Sequence, residues 1–276
     1  MLKKLKVLSV FLFFFFMLPI IAGQLPFPNN EKLVHPKEKA EEKPVVYAAS
    51  SETVTATDVA PNYNPFEVLF VFTHSHETYK PVMKNANGTV AVYDDQTNLF
   101  SMQKTMADYF RLNGLTATTL DVDVMKLLKQ NGAQMYQAYA TVRPYLSKEI
   151  KQKKYDLILD IHRDSLPGAK TTIKHNEVNY AKVAFVIGAE NPNYKANLSN
   201  ANALNSSLNS IVPGISRGII EKKGEGVDGV YNQDLAKEIL LIEIGGPDNT
   251  EDEVYRTISI LAQAIAKTFA NPELAS

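Results

Sequence analysis

The stretch that decides the fold is Val68-Leu-Phe-Val-Phe-Thr-His74-Ser-His76-Glu77-Thr-Tyr79. It opens with five apolar residues and no Gly or Pro, which is typical of a strand buried on both faces. Polar residues follow abruptly. In open α/β sheets, functional groups gather at the carboxyl ends of the strands. The stretch therefore predicts a central strand that ends at a functional site.

Two later segments repeat this design. They are Tyr155-Asp-Leu-Ile-Leu-Asp160-Ile-His162-Arg163-Asp164 and Glu238-Ile-Leu-Leu-Ile-Glu243-Ile-Gly-Gly246. Because parallel strands end at the same edge of a sheet, the three segments predict that His, His and Glu side chains meet at one edge. This arrangement is the outline of a zinc hydrolase.

The composition excludes several classes of protein. The chain has 276 residues, of which 45% are hydrophobic and 21% charged, and this balance is typical of a folded globular protein. The formal net charge of −1 provides no basic surface field, so we expect no nucleic-acid partner. The absence of cysteine excludes disulfides, a thiol nucleophile and thiolate zinc sites.

Residues 1–23 are predicted to be an export signal or membrane anchor. Three lysines within Met1–Lys6 precede the apolar run Val7–Ala22, and the positive end of such a segment stays in the cytoplasm. The run is shorter than the roughly 20 residues of a spanning helix and its cleavage site is weak, so we favour an uncleaved anchor, with cleavage as the alternative. An uncleaved anchor would hold the rest of the chain on the outer side of the cytoplasmic membrane, and a cleaved signal would leave it secreted.

The remaining chain divides into a linker, one domain and a tail. Residues 24–66 are rich in Pro, Glu, Lys, Ser and Thr without a persistent period, which predicts a flexible linker. Residues 67–270 alternate strands with helices, which predicts an α/β domain whose mostly parallel sheet is flanked by helices; residues 271–276 are a tail. Beyond the three site strands, the predicted elements are a helix between Asn98 and Gly114, a strand Leu115–Leu120, a helix over 133–153, a strand over 178–188, a helix over 197–211 and a last helix that begins at Thr250 with a capping box to Glu253.

Four residues in this pattern fit a catalytic metal site. Zinc in a hydrolase has three protein ligands, drawn from His, Glu and Asp, and one open position. His74 and Glu77 are three residues apart, and a turn just past a strand would aim both side chains at one ion. His162, from a distant strand, would complete the set. Glu243 lies on an otherwise apolar strand where an unpaired carboxylate is costly, so it is the candidate for the general base.

The neighbouring residues have two interpretations each. His74 alone is more typical of a hydrogen-bonded histidine at a strand end than of a ligand, and only the set of four favours a metal. For His76 a surface or substrate role is favoured over ligation, because a turn would separate it from His74. Asp160 either orients a metal-bound imidazole or pairs with Arg163. Arg163 either stabilises an oxyanion or forms a structural salt bridge.

Four motifs carry a resemblance to a known family. They are Thr73-His74-Ser-His-Glu77-Thr-Tyr79, Asp160-Ile-His162-Arg163-Asp164-Ser165, Tyr231-Asn232-Gln233-Asp234 and Leu241-Ile-Glu243-Ile-Gly245-Gly-Pro-Asp-Asn249-Thr250. In this order they resemble the successive motifs of the stage II sporulation protein P family, over roughly residues 67–270. Asp164 and Asn249 fall inside these motifs and are predicted to contact either the ligands or the substrate.

The resemblance implies an activity and a setting. His74, Glu77 and His162 would bind Zn²⁺ and Glu243 would be the catalytic acid/base, on a fold similar to that of the zinc-dependent N-acetylmuramoyl-L-alanine amidases. The family implies cleavage of peptidoglycan, at the muramoyl–alanine amide and at peptide cross-links, during forespore engulfment. It also implies a stage II sporulation protein D-like lytic transglycosylase as partner.

Two other functions fit the same residues. A zinc carboxy- or endopeptidase acting on other peptides would use the same ligand set and base. A non-catalytic wall-binding module would keep the fold without the chemistry. The intact set of three ligands and a base argues against the second.

Overall fold

The computed structural model describes residues 65–270, and the centre of this region is a six-stranded sheet. Its strands are β1 Phe66–Val71, β2 Leu115–Thr119, β3 Leu157–His162, β6 Val183–Gly188, β7 Ser216–Lys222 and β8 Ile239–Ile244. A separate two-stranded hairpin consists of β4 Thr172–His175 and β5 Val178–Ala181. The predicted anchor, most of the predicted linker and the predicted tail lie outside the described residues.

The strand order of the sheet is β2-β1-β3-β8-β6-β7. The first four strands in this order are parallel to one another. β6 runs antiparallel to β8, and β7 runs parallel to β6. The predicted mostly parallel α/β sheet is therefore confirmed, and the three segments predicted to carry the site, β1, β3 and β8, are neighbours in its middle.

The helices of the described region flank this sheet. They are α1 Lys80–Asn87, α2 Gln103–Leu112, α3 Val124–Asn131, α4 Ala138–Gln152, the single turn α5 Gly168–Thr171, α6 Tyr194–Ile211 and α7 Glu251–Ile265. The predicted capping box at the start of α7 is confirmed, because Thr250 Oγ1 accepts from the Glu253 amide at 3.3 Å and Glu253 Oε2 accepts from the Thr250 amide at 2.9 Å. Over residues 65–270, no helix combines the length and apolarity that crossing a bilayer requires.

Alternating residues of the central strands divide the apolar core between two faces. On one face Phe70, Leu159 and Ile242 belong to a large cluster that includes residues of α2, α6 and α7. On the other face Leu69 and Ile158 belong to a smaller cluster with residues of α3 and α4. On β3 and β8 the smaller cluster ends before the carboxyl ends of the strands. Asp160, His162 and Glu243 continue this face as a group of polar side chains.

The predicted strand over 178–188 is wrong as a single element. The chain breaks at Lys182, whose amide donates to Thr171 O at 2.7 Å and whose carbonyl accepts from Gly245 at 2.8 Å. β5 therefore pairs with β4, and only β6 joins the large sheet. Local apolar content cannot reveal this break, because both halves are strand-forming and the separation is made by long-range hydrogen bonds.

Several elements had no counterpart in the sequence prediction: α1, α3, β4 and β7. β7 is an edge strand of modest apolar content, with Gly218 at φ +90° and an irregular register against β6. Such a strand lacks the alternation that periodicity analysis detects. α1 and α3 have eight residues each, which is too short for a helical period to stand out.

Candidate metal centre

His74 and Glu77 are brought together by a tight turn after β1. The amide of Glu77 donates to the His74 carbonyl at 3.0 Å, which closes the turn. His74 Nδ1 then lies 3.4 Å from Glu77 Oε1. Burial alone would raise the pKa of Glu77, but the hydrogen bond from His74 and the charges of both histidines outweigh it and lower the pKa. Glu77 is thus an ionised carboxylate at neutral pH.

His162, the last residue of β3, completes the cluster. Its Nδ1 lies 4.0 Å from Glu77 Oε2, and the His74 and His162 rings are edge to face with centroids 4.8 Å apart. One ligand atom from each of His74, Glu77 and His162 falls within 4.8 Å of the others. The structure therefore brings together the three residues that the sequence predicted as ligands.

The spacing and chemistry of these donors fit a zinc ion. Atoms that each lie about 2.0–2.2 Å from a tetrahedral zinc stand roughly 3.3–3.6 Å apart, and the shortest separation in the cluster, 3.4 Å, is already in this range. Two imidazoles and one carboxylate are a known ligand set of catalytic zinc, and three protein ligands leave the fourth position open. His162 and Glu77 are buried while His74 is partly exposed, so solvent reaches the cluster at His74.

Asp160 holds the His162 ring from behind. Its Oδ1 lies 3.1 Å from His162 Nε2, although Nε2 is not aligned for a hydrogen bond. Thr73 fixes the carboxylate by donating its amide at 3.0 Å and its hydroxyl at 2.7 Å. Burial would lower the pKa of His162, but the charge of Asp160, followed by those of Glu77 and Glu243, raises it to about 9. This carboxylate–imidazole pair points Nδ1 toward the cluster.

Glu243 approaches the cluster from β8. It pairs with His162 across the parallel β3–β8 ladder, so both side chains lie on the same face of the sheet. Its Oε2 is buried without a hydrogen-bond partner. Burial raises the pKa of Glu243 to about 7, and the charge of His162 opposes this rise while those of Glu77 and Asp164 add to it. A buried oxygen with no partner beside three metal donors is what a general base requires.

Arg163 is anchored around the cluster by its backbone and its guanidinium. Its amide donates to Glu77 Oε2 at 2.8 Å. The guanidinium donates to the carbonyls of Asp164 at 2.8 Å and Val92 at 3.1 Å, and it lies over the Tyr93 ring with its carbon 5.7 Å from the centroid. Asp160 pairs with His162 and Thr73, so of the two interpretations for Asp160 the structure supports the imidazole-orienting one.

Asp164 and Asn249 connect the loops behind the site. Asp164 pairs with Arg217 of β7 and accepts from the Leu166 amide at 2.9 Å. Asn249 is fully buried and uses both ends of its amide: Oδ1 accepts from Gly246 at 2.8 Å, and Nδ2 donates to Glu253 at 2.9 Å. These contacts fix the loop that follows Glu243.

A close approach between two loops explains the Gly-Gly pair after β8. A Cβ on Gly246 would lie 2.0 Å from Leu166 O, so only glycine fits there. The Gly245 carbonyl accepts from the Asp164 amide at 2.9 Å. The loops that follow His162 and Glu243 are thereby locked together.

His76 faces away from the cluster. Its Nε2 lies 3.0 Å from Asp123 Oδ2, and Asp123 Oδ1 accepts from Ser75 Oγ at 2.7 Å. Asp123 also caps α3 by accepting from Lys126 at 3.1 Å. His76 therefore helps to position the turn against α3, in agreement with the prediction that the turn separates it from His74.

The family comparison agrees with this geometry. The model of the family described as stage II sporulation protein P matches residues 26–266. The chain belongs to this family. The stage II sporulation protein P of Bacillus subtilis (strain 168) is 30% identical over 209 residues, which are 75% of this chain and 52% of that protein. The chain thus spans about half the length of the curated family member it matches.

Solved structures with similar folds include two amidases. The CwlD amidase from Clostridioides difficile, solved in complex with the GerS lipoprotein, aligns with 77% of this chain and 100% of its own, at 12% identity and a TM-score of 0.48. The N-acetylmuramyl-L-alanine amidase Ami1 from Mycobacterium smegmatis aligns with 75% of this chain and 98% of its own, at 12% identity and a TM-score of 0.43.

Tyr139 is the side chain near the centre that the sequence analysis missed. It lies in the first turn of α4, with its ring centroid 5.8 Å from that of His74 and 6.3 Å from that of His162. No strand end or polar pattern marks this position, which the sequence places inside a helical stretch. The ring of Tyr139 packs against the ring of Tyr231, with centroids 5.2 Å apart. Tyr231 belongs to one of the motifs that resemble the stage II sporulation protein P family.

Proposed function

We propose that this chain is a zinc-dependent N-acetylmuramoyl-L-alanine amidase that hydrolyses peptidoglycan. The observation that carries the proposal is the convergence of His74, Glu77 and His162 within 4.8 Å, with Glu243 beside His162 on the next strand. Three ligands, an open position and a carboxylate base are the minimal set for metal-assisted amide hydrolysis. Membership of the stage II sporulation protein P family supports peptidoglycan as the substrate.

The four residues divide the chemistry between them. His74, Glu77 and His162 would hold the ion, and bound zinc supplies a Lewis acid for the scissile carbonyl and lowers the pKa of water. Glu243 accepts a proton from the attacking water, because its pKa of about 7 lets the carboxylate act near neutral pH. It then returns the proton to the departing alanine nitrogen, so that an amine leaves rather than an amide anion.

Arg163 is proposed to assist from a fixed position. Its guanidinium is buried and held by two carbonyls, so its charge is pre-organised rather than recruited during the reaction. In this proposal it stabilises the developing oxyanion electrostatically. In this proposal Asp160, Asp164 and Asn249 act indirectly. Asp160 acts through His162, and the other two act through the loops that follow β3 and β8.

The cellular setting is also a proposal. We infer that residues 1–23 anchor the protein in the cytoplasmic membrane and that the catalytic domain acts outside, on the wall between mother cell and forespore. A stage II sporulation protein D-like lytic transglycosylase is the proposed partner, on the basis of membership of the stage II sporulation protein P family. Cleavage of peptide cross-links is the proposed second activity.

The experiment is digestion of defined muropeptides by the zinc-loaded full chain, with products identified by mass spectrometry. We expect free lactyl carboxyl groups on muramic acid and new alanine amino termini. Glu243→Gln should lower turnover by roughly 10²–10⁴ while zinc content is unchanged. Glu225→Gln, at an exposed position in a glycine-rich loop, is the matched control.

Three outcomes would contradict the proposal in different ways. Products cut only between amino acids would make the protein a peptidase. Loss of zinc from Glu243→Gln would make Glu243 a ligand. Unchanged turnover in that variant would place the base elsewhere, with Asp160 and Asp164 the next carboxylates to replace.

A further inference from the structure

Two tyrosines border the metal centre without being part of its chemistry. The Tyr139 ring is nearly parallel to that of His162, at 19°, and tilted against that of His74. The Tyr231 ring meets it at 82° with centroids 5.2 Å apart. Both tyrosines are partly exposed, so the two rings form a corner at the rim of the site.

The backbone beneath Tyr231 is strained. Tyr231 and Asn232 have φ of +54° and +56°, a region that large side chains with a Cβ rarely adopt. Strain of this kind persists only where the surrounding structure enforces it, and it clusters at functional sites. The positive φ of Tyr231 therefore directs its ring to a place that a loop with ordinary negative φ would not reach.

A network of polar contacts enforces this conformation. Asn232 donates from Nδ2 to Tyr139 O at 2.9 Å and accepts from Arg143 at 3.0 Å. Arg143 also binds both carboxylate oxygens of Asp234 at 2.8 and 2.5 Å. Gln233, fully buried, accepts from Gly188 at 2.9 Å and donates to Val186 at 2.8 Å. The loop is thus tied both to α4, which carries Tyr139, and to β6.

The corner is uncharged although it adjoins carboxylates. The ordinary pKa of a tyrosine hydroxyl is about 10. Both hydroxyls therefore remain neutral at physiological pH. A neutral aromatic surface with hydroxyl groups suits a neutral partner that has both an apolar face and polar edges.

We propose that Tyr139 and Tyr231 form a stacking corner for a pyranose ring of the substrate, so that the site selects amides carried by a sugar over the same amide in a plain peptide. This inference rests on the proposed function and specifies it further. A pyranose presents C–H groups on its faces and hydroxyls around its rim, which matches two tyrosine rings at right angles. The first peptide residue, alanine, has one methyl group and cannot fill such a corner.

The corner also explains the position of the strain. Tyr139 lies against both histidine rings and Tyr231 lies against Tyr139, so a sugar that packs in the corner would lie beside the metal donors. The strained loop holds Tyr231 in this position. A relaxed loop would leave the sugar unsupported and the amide free to move relative to Glu243.

The test is equilibrium binding of two matched ligands to the zinc-loaded full chain carrying Glu243→Gln, which slows turnover. The ligands are N-acetylmuramoyl-L-alanyl-D-isoglutamine and D-lactoyl-L-alanyl-D-isoglutamine, which share the scissile amide and differ in the sugar. We expect the muramoyl ligand to bind at least about tenfold more tightly, equivalent to about 1.4 kcal/mol. Adding Tyr231→Asn should bring the ratio near one, and asparagine tolerates positive φ, so the loop conformation is kept.

Two controls separate the ring from its surroundings. Tyr231→Phe keeps the ring and should keep the preference. Tyr136→Leu removes an aromatic side chain that is 81% exposed just before α4, and it should leave both affinities as they were. Zinc content, measured for every variant, confirms that the metal donors are intact.

The inference is overturned if the two ligands bind equally, if the muramoyl ligand does not bind, or if Tyr231→Asn preserves the preference. Failure of the proposed function is a different result, read from hydrolysis by the enzyme with native Glu243. A muramoyl preference without hydrolysis would contradict the proposed amidase activity and support the stacking corner. Hydrolysis of both ligands at similar kcat/KM would support the proposed amidase activity and contradict the stacking corner.

Discussion

Glu243 is predicted to destabilise the metal-free fold. Its pKa is about 7 in the folded protein against 4.5 for an unhindered glutamate, because its Oε2 is buried without a partner. The folded state therefore holds the proton more tightly than the unfolded state. Stability conferred by the neutral carboxyl is fully present below pH 4.5 and is lost as pH rises through 7. Above pH 7 the folded protein carries a carboxylate whose buried Oε2 has no hydrogen-bond partner.

The size of this effect follows from the two pKa values. Their difference corresponds to an upper limit of roughly 3 kcal/mol in the free energy of unfolding. Glu243 is partly exposed, which reduces the penalty, so we expect about 2–3 kcal/mol. Glu243→Gln keeps the shape of the neutral acid and cannot ionise. The variant should therefore be more stable than the parent protein at pH 8 and nearly equal to it at pH 4.5.

Urea unfolding of the chelator-treated full chain, followed by circular dichroism, measures this difference. Glu225→Gln serves as the control, because Glu225 is exposed and its replacement should change stability little at either pH. An equal gain at both pH values would show that ionisation is not the cause. No gain in stability at pH 8 would show that the Glu243 carboxylate is solvated. Glu243 would then not have the raised pKa that a general base near neutral pH requires.

The other predictions concern the metal, the loops and the membrane. Asp160→Asn should weaken zinc affinity about 10–100-fold by competition titration while the fold is kept, since it removes the charge behind His162; an unchanged affinity would contradict the orienting role. His162→Ala should abolish zinc retention and wall hydrolysis with a native circular dichroism spectrum, and retained stoichiometric zinc would exclude it as a ligand. Asn249→Ala should cost roughly 2–4 kcal/mol in urea unfolding, because it leaves the buried Gly246 amide unpaired and removes a second buried hydrogen bond to Glu253, whereas Asn113→Ala, which breaks one half-buried bond, should cost about 1 kcal/mol. Protease added to protoplasts should digest residues 67–270, and protection until lysis would contradict the proposed topology.

The convergence of the candidate site residues was predictable from the sequence, because these residues interrupt apolar strands. His162 and Glu243 each stand out against a buried run, and parallel strands bring such interruptions to one edge. His74 and Glu77 required one further assumption, a turn after β1, and the hydrogen bond from Glu77 to the His74 carbonyl confirms it. The Thr250–Glu253 capping box was equally local, so it too was predictable.

What the sequence did not reveal depends on long-range contacts. The break at Lys182 is made by hydrogen bonds to residues 11 positions before it in sequence, at Thr171, and far after it, at Gly245. Tyr139 is significant only because α4 begins beside two histidines that lie on other elements. The role of Asn249 as a clamp became visible through its four partners, although its motif had suggested a position near substrate.

The place of β8 in the sheet has a consequence for how the protein is made. Among residues 65–270, β8 is the last strand, yet it lies between β3 and β6 in the middle of the sheet. A polypeptide that emerges from its N-terminus presents His74, Glu77 and His162 within the first half of the domain, but the strand that joins the two halves of the sheet and carries Glu243 arrives only after about nine-tenths of the domain. Partly synthesised or clipped chains therefore cannot close the sheet. The proposed hydrolytic activity, which depends on Glu243, would thus be absent until synthesis is complete.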